Sequence, residues 1–86
     1  MSKIEKLIIK ITAIPPPADF KWSDLQTLLE HFGYKQQNGN GSRRKFYNPS
    51  KDALIVCHEP HPDPNLDKGC IKDVVTHLKE NQFIQT

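Results

Sequence analysis

The sequence is short of the residues that define several protein classes. Two cysteines in 86 residues are too few for the disulfide framework on which small secreted domains depend. No uninterrupted apolar run approaches the roughly 20 residues of a membrane span. The opening Met1-Ser2-Lys3-Ile4-Glu5-Lys6 has neither the apolar stretch nor the small-residue cleavage site of a secretory signal. Internal repeats and low-complexity tracts are missing too. A soluble cytoplasmic protein without membrane contact is expected. Its length allows one core, so residues 1–86 are expected to form one domain, with 1–18 a helix plus proline-rich linker and 19–86 the body.

Acidic residues are absent from one stretch. Residues 35–51 carry Lys35, Arg43, Arg44, Lys45 and Lys51 and no acid, whereas residues 52–86 carry six acids against three lysines. A basic island flanked by neutral and acidic segments points to a polyanionic partner. Cations that merely guard a strand edge would give the same composition.

What is present is a repeated helical spacing. Ile4, Leu7, Ile8 and Ile11 fall at i, i+3, i+4 and i+7, one face of a helix. Leu25, Leu28, Leu29 and Phe32 repeat it, as do Ile71, Val74, Val75 and Leu78. Helices are expected near 3–12, 23–32 and 68–80. Pro15-Pro16-Pro17 stops the first. Ser23 with Gln26 resembles a capping box, and Gly33 supplies a stop for the second. Asp67 or Asn65 is expected to cap the third.

Between the second and third helices the period changes to two. Residues 34–38, 43–48 and 53–58 suit strands of an antiparallel meander, joined by turns at 39–42 and 48–52. Alternation puts Arg44 on one side of the middle strand with Phe46, which belongs under the helices. Arg43, Lys45 and Tyr47 then share the open face. The expected class is α+β, with helices on one face of a three-stranded sheet. Three prolines in 59–65 make a stiff loop from the last strand to the last helix.

Candidate chemistry lies near that loop. His58 ends the third strand and His61 stands in the loop, where scaffold-held functional residues concentrate. His31 and His77 sit on helices and suit structural or surface roles. Cys57, His58, His61 and Cys70 have zinc-type side chains, but no CxxC or HxxxH spacing supports a closed site, and no metal is expected. Gly39-x-Gly41 lacks the lysine-serine ending and the following helix of a phosphate loop.

Together, Trp22-Ser23-Asp24-Leu25-Gln26-Thr27-Leu28-Leu29-Glu30-His31-Phe32-Gly33-Tyr34, the basic Gly39-Asn40-Gly41-Ser42-Arg43-Arg44-Lys45-Phe46, His58-Glu59-Pro60-His61-Pro62 and Leu66-Asp67-Lys68-Gly69-Cys70-Ile71 resemble the HicA family. These are the small toxins of bacterial and archaeal HicA–HicB toxin–antitoxin modules. The resemblance covers about residues 19–80, with the first helix as an extension. It implies a fold like the double-stranded-RNA-binding domain and cleavage of messenger RNA without metal or other cofactor. It also implies a HicB-like antitoxin as protein partner, and no small-molecule substrate.

In the family a histidine in a Gly-Ser-His motif on the second strand is the usual catalytic residue. Here that position is Arg43, in Gly41-Ser42-Arg43. A guanidinium stays charged and cannot act as a base, but it can clamp a phosphate. The family's more C-terminal histidine is matched by His61. The resulting expectation is His61, His58 and Arg43 for catalysis, and Ser42, Arg43, Arg44, Lys45 and Tyr47 for RNA binding. A module that kept the RNA- or antitoxin-binding face and lost catalysis is the alternative. A zinc-dependent or DNA-binding domain is a third, more distant one.

Overall fold

The computed structural model describes residues 2–39, 41, 43–60 and 62–84. Two expected site residues, Ser42 and His61, lie outside them. The elements follow in the order α1 (Lys3–Ile11), α2 (Trp22–His31), β1 (Lys35–Asn38), β2 (Arg43–Asn48), β3 (Ala53–His58) and α3 (Lys68–Glu80). The strands form one antiparallel meander, β1-β2-β3. The class is α+β, as the two periodicities require.

Each helix is held by its ends and by one buried face. The Ser2 hydroxyl caps α1 by accepting the Glu5 amide at 3.1 Å. The helix buries Leu7 and Ile11. Gly33 ends α2 with a φ of 93°, a left-handed backbone that glycine adopts without a Cβ clash. Asp67, rather than Asn65, caps α3, accepting the Cys70 amide at 2.7 Å.

The expected Ser23 and Gln26 capping box does not form. Helix α2 begins one residue earlier, at Trp22, and its N-cap position is Lys21 with no side-chain cap. A distant segment takes over: the Trp22 amide donates to the Pro64 carbonyl at 2.9 Å, and the Leu66 amide to the Phe20 carbonyl at 2.8 Å. Gln26 instead donates to Gln36 on β1 at 2.6 Å.

The core lies between the inner face of the sheet and the three helices. Phe46, Ile55 and Cys57 come from the strands, packed with Leu25, Leu28, Leu29, Ile71, Val74 and Leu78 from α2 and α3. Asn48 is a buried polar residue at 1% exposure, and both ends of its amide are used. Its Nδ2 donates to the Phe32 carbonyl at 2.8 Å, and its Oδ1 accepts the Lys51 amide at 3.1 Å. This side chain fastens the end of α2 to the turn between β2 and β3. A buried amide so matched costs little, whereas an unmatched one is expensive.

Candidate nucleic-acid interface

The outer face of the sheet follows from its register. Phe46 and Asn48 point inward from β2, so Arg43, Lys45 and Tyr47 point outward, as alternation requires. On β3, Ala53, Ile55 and Cys57 are buried while Leu54, Val56 and His58 are exposed. Arg43 pairs with His58, Lys45 with Val56 and Tyr47 with Leu54. On the other side Tyr47 pairs with Lys35 and Lys45 with Gln37. Directly paired residues share a face and stand roughly 5 Å apart at Cβ. Arg43 and His58, far apart in sequence, therefore meet at one end of the open face.

Several contacts fix this surface. A Cβ placed on Gly39 would lie 3.1 Å from the Arg43 carbonyl oxygen and 3.3 Å from Arg43 Cγ. Glycine there lets the Arg43 stem pack against the end of β1. At the opposite end, the Tyr47 hydroxyl donates to Asp52 Oδ1 at 2.7 Å. That bond, with partial desolvation and the carboxylate's charge, raises the phenol above its ordinary range and holds the hydroxyl end of the side chain at Asp52.

Arg44 is not brought to the open face. Its Nη1 donates to the Gly41 carbonyl at 2.7 Å and to the Arg43 carbonyl at 3.0 Å, and its Nε lies 3.3 Å from Glu59 Oε1. It holds the start of the 59–67 loop, while the bridge between Lys21 and Asn65 holds the far end. The chain is thus tied down at Glu59 and again at Asn65.

Four residues of this face escape a reading of the sequence: Lys35, Gln37, Leu54 and Val56. All four residues of β1 are exposed, so nothing in that strand marks its outer side. Residues 53–57 are apolar without interruption, which hides the alternation of β3. Pairing with β2 is the one signal that places them.

The cysteines lie on the other side of the sheet. Cys57 is buried and Cys70 half-buried, and the two thiols contact each other. The Cys70 thiol and burial push Cys57 up, and the same bond lowers Cys70. Among the described residues no group of three or more His, Cys, Asp or Glu is placed to hold a metal ion. No helix among them is long and apolar enough to cross a membrane.

No curated protein matches the chain, nor does any solved structure. A family model does match, that of the HicA toxin of bacterial toxin–antitoxin systems, over residues 22–83. The span opens with α2, closes just after α3, takes in every strand of the open face and omits α1. Covering well over half of the sequence, it establishes that the chain belongs to the HicA family of toxins from bacterial toxin–antitoxin systems.

Proposed function

We propose that the protein binds messenger RNA on the open face of its sheet and cuts it without a metal, and that a HicB-like antitoxin restrains it. The observation that carries this reading is the register that sets Arg43 opposite His58 beside Lys45. Metal-free cleavage uses the 2′-hydroxyl of the RNA as nucleophile. Its oxygen bonds to the adjacent phosphorus and the bond to the 5′-oxygen breaks, leaving a 2′,3′-cyclic phosphate and a 5′-hydroxyl. The protein must move one proton off the 2′-oxygen, deliver one to the 5′-oxygen and steady the phosphorane charge. Imidazole suits the proton transfers and a fixed guanidinium the charge. His58 or His61 takes the base role, and Arg43 lies against the non-bridging oxygens.

A second reading has a specific ground: the strand position at which the family carries histidine is here Arg43. On that reading the face still binds RNA or the antitoxin but does not cut. RNA integrity in excess EDTA separates the two, with the parent run beside His58→Ala, His61→Ala and Arg43→Ala. The expected result is cutting by the parent and a loss of roughly 10²-fold or more when the base is removed. Intact RNA with salt-dependent binding by the parent establishes the non-cutting reading. Unchanged cutting by both histidine variants rules out proton transfer by either imidazole.

A further inference from the structure

Four large apolar side chains are exposed among the described residues, and two of them, Leu54 at 51% and Val56 at 42%, share the open face with the cations. A one-sided antiparallel sheet ordinarily turns polar residues outward. Strand β3 breaks that pattern where β1 keeps it, with Lys35 and Gln37 outward. The departure falls beside the residues proposed for RNA chemistry.

We infer that Leu54 and Val56 seat the unpaired bases of a single-stranded RNA whose phosphates run along Lys45 and Arg43, so that the face selects single strands over duplexes. This inference rests on the RNA-binding reading above. Adjacent strands lie about 4.8 Å apart, and residues on one face repeat about every 6.7 Å along a strand. The open face is therefore a pair of parallel lanes. The β2 lane is cationic at Arg43 and Lys45, and the β3 lane is apolar at Leu54 and Val56 before it ends in His58.

A single strand presents phosphates along one side and bases along the other, which matches the two lanes. A duplex turns its bases inward and offers phosphates and 2′-hydroxyls; on this face it would leave the apolar lane uncovered. Charge also sets a direction. Asp52, bonded to Tyr47, offsets the charge of Lys35 at one end, while Arg43 draws phosphate to the other, where His58 stands. Bases held on Val56 and Leu54 thus leave the backbone at the Arg43 and His58 pair. Tyr47, opposite Leu54, adds an aromatic ring for stacking at the far end.

The test uses a labelled 2′-O-methyl RNA strand, which lacks the nucleophile for self-cleavage, alone and annealed to its complement. Its affinity is measured for the parent, for Leu54→Thr/Val56→Thr, and for Lys45→Ala, at two salt concentrations. Threonine keeps strand propensity while removing apolar surface. The double variant is expected to bind the single strand roughly tenfold more weakly, in the range that lost base contacts produce, with the parental salt dependence and unchanged duplex binding. Lys45→Ala is expected to weaken both and to flatten the salt dependence.

Parental single-strand affinity in a double variant of parental circular dichroism overturns the inference and leaves the RNA reading standing. So does an equal loss on the duplex. Loss of binding to the HicB-like protein alone reassigns the apolar pair to a protein contact. A parent that binds neither RNA form removes the RNA reading itself.

Discussion

His77 and His58 are both imidazoles, yet their surroundings give them different work. His58 stands exposed on the open face. His77 is half-buried on α3, with Nε2 2.6 Å from the Tyr34 hydroxyl. Burial pulls its pKa below the ordinary value against a smaller upward pull from Glu80. Burial also pushes the Tyr34 phenol up to about 12, so the phenol keeps its proton and suits donation to an unprotonated Nε2. An unfolded His77 takes up a proton near pH 6.5; the folded ring resists until lower pH. This contribution to stability is complete above the unfolded pKa and is lost as pH falls through the window toward the folded one. The melting temperature is therefore expected to fall as the pH is taken below about 6.5, the unfolded value. His77→Gln, which keeps a partner for Tyr34 but cannot titrate there, should drop less. An equal fall in both proteins would show that His77 does not set the window.

Helix α1 lies outside residues 22–83, the part that carries the family resemblance, but it is not an appendage. Leu7 and Ile11 belong to the same buried cluster as Leu25 and Leu78, and Lys10 bonds the Asp19 carboxylate and carbonyl at 3.3 and 3.2 Å across the proline linker. Ile11→Ala is expected to cost about 2–4 kcal/mol in urea unfolding, whereas Ile9→Ala, at an exposed position, should stay within about 0.5 kcal/mol. A negligible effect at Ile11 would show α1 to be loosely attached. The same helix shows what a sequence can and cannot disclose. Its apolar spacing, like that of α2 and α3, is legible because each helix buries one face against a core. The outward row of Arg43, Lys45 and Tyr47 is legible because Phe46 anchors the alternation of β2. The start of α2 is not, since its first amide is satisfied by Pro64, more than forty residues away in the chain. Nor is the role of Arg44, whose outcome depends on Glu59. The outer sides of β1 and β3 are hidden for opposite reasons, one strand being exposed throughout and the other apolar from Ala53 to Cys57.

Over the whole molecule, the register sorts the cations that the sequence only clusters. Five of them crowd residues 35–51. Folding puts Lys35, Arg43 and Lys45 on the open face through their places in the two ladders. Arg44 turns inward to Glu59, and the Lys51 ammonium sits 5.8 Å from the centre of the Phe83 ring. A strand of RNA laid on the sheet therefore meets three cations rather than five. Counterion release from single strands contributes about −0.7 to the slope of log affinity against log salt for each phosphate neutralised. The expected slope is thus about −2, and Lys35→Ala should reduce its magnitude by about 0.7 although Lys35 is remote from the Arg43 and His58 pair. Arg44→Ala should leave the slope unchanged. A slope near −3.5, the value for all five, would mean that Arg44 and Lys51 leave their partners to reach the phosphates, and that the face presented to RNA is not the one that the β1, β2 and β3 pairing creates.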